Sequence, residues 1–180
     1  MFKKLIVLLF SLGVLLTPSG ANASSHAKSL QNLDMNEIMF AQMMIPHHKQ
    51  AISMSETALK KSQNQEILKL SRQIKSLQSS EVSQLTYWLI ATDSSMTMDH
   101  DMKMSGMLTV KELASLKRLT GTQFDRTFLQ LMIKHHLGAL EMLDLIDDSE
   151  NAEAKALAKA IKSAQSKEII SMKQLLKKLK

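Results

Sequence analysis

The chain has no cysteine. No disulfide can stabilise it, no thiolate can bind a metal, and its apolar leader cannot carry a lipoprotein anchor. A strong charge bias is also missing. A formal net charge of +6 on 180 residues is mild and evenly spread, which argues against a nucleic-acid partner. The apolar segment Leu5–Leu16 is about 12 residues long, where a retained membrane span needs about 20. Aromatic residues make up only 4% of the chain, and no stretch alternates as a strand would.

Lys3 and Lys4 precede that apolar segment, and Ala21-Asn22-Ala23 follows it as an A-x-A cleavage site. Residues 1–23 therefore read as a signal peptide. The mature protein is expected to begin near Ser24, in the periplasm or outside the cell, with no stable membrane anchor. What the chain has in excess is methionine, 14 in all. Some of these can replace Phe and Leu as core filler, but filler does not explain where they cluster.

The remaining sequence reads as helices. After a polar leader, residues 24–33, Asp34 with Glu37 marks an N-cap and capping box for a helix running to about Lys61. Pro46 lies inside it, where a kink is expected. Ser62 with Gln65 marks a second start, followed by Ile67, Leu70, Ile74, Leu77, Glu81, Leu85, Trp88 and Leu89 at helical spacing. Residues 92–108 form a linker. Thr109 and Glu112 open a short helix expected to stop at Gly121. Two long helices follow, from about Gln123 to Ile146 and from about Glu150 to Leu179.

One stretch occurs twice. FAQMMIPHHKQAISM from Phe40 aligns without a gap on FLQLMIKHHLGALEM from Phe128, with eight identities. They include Met44/Met132, His47/His135, His48/His136, Ala51/Ala139 and Met54/Met142. The partner helices repeat as well, sharing Ile74/Ile161, Lys75/Lys162, Gln78/Gln165 and Glu81/Glu168. The unit is a helical hairpin, residues 34–91 and again within 109–179. Two hairpins joined by a Met-rich linker make an all-α, four-helix bundle.

On a helix turning about 100° per residue, Met43, Met44, Ala51 and Met54 share a face with His47, and His48 falls at its edge. One imidazole sits in a thioether-rich stripe and its neighbour points towards the rim, nearer solvent. The second copy repeats this, with Leu131 in place of Met43. A single His–Met face is usually core plus a surface histidine, but duplication of a rare pair favours metal binding. Imidazole with thioether is a borderline-to-soft set that suits copper, Cu(I) above all and Cu(II) through the histidines. Di-iron bundles use Glu-x-x-His. Here Met44-x-x-His47 and Met132-x-x-His135 take that spacing, which moves preference away from iron. Glu81 and Glu168, one on each remaining helix, leave a mixed site open.

The linker adds sulfur. Met96, Met98, Met102, Met104 and Met107 lie within twelve residues around His100. Polar neighbours and Gly106 give the segment no apolar face, and exposed methionine is oxidisable, so a ligand role that captures and hands over metal accounts for it better than packing.

At these residues the chain resembles the domain-of-unknown-function 305 family, exported proteins with a ferritin-like four-helix bundle. MMIPHHKQAISM, FDRTFLQLMIKHHLGALEM, IKSAQSKEIISM and the Met-rich linker carry the resemblance, which spans roughly residues 34–179. The family includes a periplasmic copper-binding protein, so the resemblance implies copper binding and resistance. It implies His47, His48, Met54, His135, His136 and Met142 as ligands, with Met43, Met44 and Met132 beside them. The expected function is a non-enzymatic copper protein that sequesters Cu(I) or passes it to periplasmic donor or acceptor proteins. A di-metal oxidase using Glu81 and Glu168, or an adaptor bundle without metal, are the rival readings.

Overall fold

A computed structural model describes residues 33–98 and 104–179. The described residues contain five α-helices: α1 (Met35–Lys61), α2 (Gln65–Ala91), α3 (Val110–Arg118), α4 (Gly121–Met142) and α5 (Ala152–Lys178), with a 3-10 turn at Leu143–Leu145 after α4. There is no strand among them. The four long helices pair as two hairpins, α1 with α2 and α4 with α5, which pack through α1 and α4 into an all-α bundle.

The helix ends follow from the residues that cap them. Asp34 accepts from the backbone of Asn36 and Glu37, and Glu37 reciprocates on the Asp34 amide at 2.7 Å. A cap of this kind stabilises by about 1 kcal/mol. Thr109 and Glu112 make the same box on α3. α2 starts differently from the expectation. Asn64, not Ser62, is its N-cap, while Ser62 closes α1 and accepts from the Asn64 amide. Asn151 caps α5 in the same way. α1 runs unbroken through Pro46.

Two further expectations fail at the entry and exit of α4. Leu119 and Thr120 are extended, so α3 ends at Arg118 and not at Gly121. Gly121, at φ +56°, spends its left-handed freedom on opening α4. The α-helix then ends at Met142 rather than Ile146, because Leu143–Leu145 tighten into the 3-10 turn.

The core divides into two clusters along the bundle. One joins Phe40, Met43, Met44, Leu85, Trp88, Met142, Ile146 and Ile161. The other joins Met54, Ala58, Ile67, Phe124, Phe128, Met132 and Met172. The start of α1 thus meets the end of α4, and the end of α1 meets the start of α4. These two helices run antiparallel, and the duplicated histidines fall where they meet.

The linker is fastened to this frame. Gln42 Nε2 donates to the Ser95 carbonyl at 2.9 Å. Gln50 clamps the Leu108 backbone twice, accepting from its amide at 2.8 Å and donating to its carbonyl at 3.0 Å. Ser105 Oγ bonds the Glu141 carboxylate. Gly106, at φ +75°, lies against Gly138 of α4 so closely that a Cβ on Gly106 would overlap the α4 backbone and a Cβ on Gly138 the linker backbone.

Candidate metal centre

The antiparallel crossing brings the two copies' first histidines face to face. The His47 and His135 rings lie against each other with centroids 3.8 Å apart and planes tilted by 36°. His48 and His136 flank them, at 6.5 Å from His47 and 6.3 Å from His135 respectively. All four imidazoles are buried.

Full burial of His48 and His136 corrects the expectation that they sit near solvent. An offset of about 100° points away from one neighbouring helix, but in a bundle it points at the next one. That next helix supplies a carboxylate in both hairpins. His48 Nε2 lies 2.8 Å from Glu81 Oε2 of α2, though without the alignment of a hydrogen bond. His136 Nε2 lies 2.8 Å from Glu168 Oε2 of α5 and is well aligned. Glu81 and Glu168 therefore meet the outer histidines, each within its own hairpin.

Burial dominates the electrostatics of the central pair. It pushes His47 down to about 3, helped by the nearby His48, while the Ser105 carbonyl at 3.1 Å from Nε2 works in the opposite direction. His135 is likewise held well below the usual imidazole value by burial and by the other three histidines. Both rings are neutral at ordinary pH, so each keeps a lone pair. Those lone pairs have nowhere to go. Nδ1 of all four histidines, and Nε2 of His48 and His135, are buried without a hydrogen-bond partner. Unsatisfied buried polar atoms are costly, at about 1–3 kcal/mol each, and a bound cation would satisfy several together.

Thioethers lie on both sides of the histidine layer. Met43, Met44 and Met142 are buried in the cluster on one side, Met54 and Met132 in the cluster on the other. Each side receives one methionine three residues before a histidine in one copy and one seven residues after it in the other. The donors therefore suit a soft ion in a dry site. Among the described residues no three His, Asp or Glu side chains form a ready-made cage, so any polydentate site would draw on sulfur as well.

The linker differs from its sequence-based description. Met98 and Met104 are half-buried and pack on the Met43–Trp88 cluster, and Met107 is half-buried too. Met96 is the exposed one, at 45%. The segment does have an apolar side, because Gln42, Gln50 and Gly138 hold its backbone against the bundle. His100 and Met102 lie outside the described residues. Ser105, Gln50 and Gly138 carry no local sequence signal of their roles, whereas the buried Gln78 and Gln165 are equivalent positions of the repeat.

The family model of the domain of unknown function DUF305 matches residues 37–176. A DUF305 fragment from Deinococcus radiodurans is 31% identical, with a TM-score of 0.75 over 81% of this chain and 98% of that one. A DUF305 protein from Streptomyces coelicolor described as secreted is 28% identical, with a TM-score of 0.76 over 79% and 93%. CopM in its Cu(I)-bound form is 31% identical, with a TM-score of 0.66 over 79% and 96%, and its Cu(II)-bound form is 32% identical. No curated protein matches. With more than half of its length matched by the family model and these folds superposed on nearly their whole chains, the protein belongs to the DUF305 family.

Proposed function

We propose that this protein binds copper in the periplasm, sequestering Cu(I) or passing it to a donor or acceptor protein, and takes Cu(II) through its imidazoles. The observation that carries this reading is the buried His47–His135 pair, whose neutral rings present unpartnered nitrogen lone pairs between two layers of methionine sulfur. Soft donors in a dry, cysteine-free core select Cu(I) over harder ions. The likeness to CopM, solved with Cu(I), with Cu(II) and with Ag, supports the same ligand class. Export fits as well, since an oxidising compartment endangers thiolates but leaves thioethers able to bind. No helix among the described residues is long and apolar enough to cross a membrane.

Binding rather than turnover is favoured by the placement of Glu81 and Glu168. Each meets a histidine of its own hairpin, instead of bridging two metals as an oxidase centre would require. The linker, with Met96 outermost, would serve as the collecting segment.

A competition titration of the protein from Ser24 onward, with Cu(I) against a chromophoric chelator and then with Zn(II) and Fe(II), tests this. Tight binding selective for Cu(I) is expected. Replacing both His47 and His135 with Ala should remove tight sites while leaving the helical spectrum intact. Preference for Fe(II), or no binding at all, would overturn the copper reading.

A further inference from the structure

Three of the four buried histidines direct Nε2 at an oxygen that accepts hydrogen bonds. For His136 it is Glu168 Oε2 at 2.8 Å, for His48 Glu81 Oε2 at 2.8 Å, and for His47 the Ser105 carbonyl at 3.1 Å. A carbonyl has no proton to give and a carboxylate oxygen accepts, so in the two contacts that are hydrogen bonds, at His136 and His47, the ring places its N–H at Nε2. The lone pair then resides on Nδ1. All three Nδ1 atoms are buried and without a partner.

We propose that Glu168 is a positioning residue of the metal centre, with Glu81 at the equivalent place beside His48: Glu168 holds His136 with its proton on Nε2, so that Nδ1 is the atom offered to a soft cation. This rests on the copper reading for the identity of the cation, and on hydrogen-bond geometry for the tautomer. Packing alone does not call for a carboxylate here. A Glu buried against an imidazole gains little stability over an apolar residue of similar size, because desolvation offsets the attraction. Yet the arrangement is built twice, at equivalent positions of the duplicated hairpins, and both times it covers the outer histidine. A ring carrying metal on one nitrogen and an oriented carboxylate on the other is fixed in rotation and strengthened as a donor. The bond is aligned at His136, so that pair is the one to test.

Ag(I) is a diamagnetic, soft stand-in for Cu(I). Long-range proton–nitrogen spectra of the 15N-labelled, metal-free protein should show His136 protonated at Nε2. Adding Ag(I) should shift Nδ1 of His136 and leave the Nε2 proton in place. Glu168→Gln, which retains an acceptor oxygen, should keep the tautomer. Glu168→Leu should release it and lower Ag(I) affinity by about 10–100-fold. A His136 protonated at Nδ1, an Ag(I) shift at Nε2, or a Glu168→Leu variant with unchanged tautomer and affinity would each overturn the assignment. If Glu168→Leu fails to fold, the wild-type tautomer and the site of the Ag(I) shift still decide it. The expected tautomer with no uptake of Ag(I) or Cu(I) would remove the donor role and the copper reading together, leaving the Glu168–His136 bond as a structural contact.

Discussion

The two copies of the repeat share ligands but not surroundings. Phe40 and Phe128, Met44 and Met132, and His47 and His135 are equivalent and equally buried. Around them the copies diverge. His47 has the Ser105 carbonyl against Nε2, whereas both nitrogens of His135 lack a partner. Position 50 carries a glutamine that grips Leu108, and the equivalent position 138 carries a glycine that admits Ser105 and Gly106. α1 begins with a capping box, and α4 begins at Thr120 with no side-chain cap. Duplication accounts for the symmetric inner layer. A single linker, able to dock only once, accounts for the asymmetric outer one.

The largest expected effect concerns the shared part. His47, at about 3, and His135, also lowered, would take protons near pH 6.5 when unfolded. Below about 6.5 the unfolded chain therefore binds more protons than the folded one, and stability falls with pH by up to about 1.4 kcal/mol per unit for each ring until the folded value is reached. The urea midpoint of the metal-free protein should drop steeply from pH 7 to 4. His47→Gln and His135→Gln should each flatten that slope. Equal flattening would extend the equivalence of the copies to their energetics, while a midpoint independent of pH would contradict the burial of neutral rings. Next in size, Phe40→Ala and Phe128→Ala should each cost about 3–5 kcal/mol in denaturant unfolding. A difference of more than about 2 kcal/mol between them would show that the two core clusters are not energetic equals.

Much of this was legible in the sequence, for physical reasons. Periodicity and the capping boxes at Asp34 and Thr109 are local, so helices and their starts can be read from short windows. The repeat pointed to four histidines and to Glu81 and Glu168. Burial of His48 was not legible, because a helical wheel assumes one neighbour and the bundle supplies two. Ser62 and Asn64 are both good caps two residues apart, so a short window does not separate them, although the matching Asn151 cap of the second hairpin favours asparagine. Linker docking depends on long-range contacts from Gln50 and Gly138, which no short window of sequence contains. Met98 and Met104 accordingly read as exposed from their local neighbours alone.

Smaller effects test the asymmetric layer. Gly138→Ala should force Ser105 away from α4, costing about 1–3 kcal/mol and speeding proteolysis within the linker. Gln50→Ala, which removes two hydrogen bonds to the Leu108 backbone, should cost about 1–2 kcal/mol with a similar gain in cleavage. If the linker stayed equally protected in both variants, its docking would not depend on these positions. The smallest effect separates the helix starts. Asp34→Ala should cost about 1 kcal/mol in thermal unfolding, whereas Thr120→Ala should lie close to zero. Equal losses would mean that the capping box adds nothing to α1.

Trp88 is the only indole in the chain, and it lies buried in the cluster that contains Met43, Met44 and Met142, with Nε1 unpartnered. The molecule therefore carries its own optical probe, placed at one end only. Folded, that indole should emit at short wavelength, free of quenching by water. Opening at the linker end would redden the emission, and a heavy ion lodged among the neighbouring sulfurs would dim it. Melting confined to the Phe124–Phe128 end would leave it unchanged, so fluorescence compared with circular dichroism can resolve the two ends of the bundle without any label.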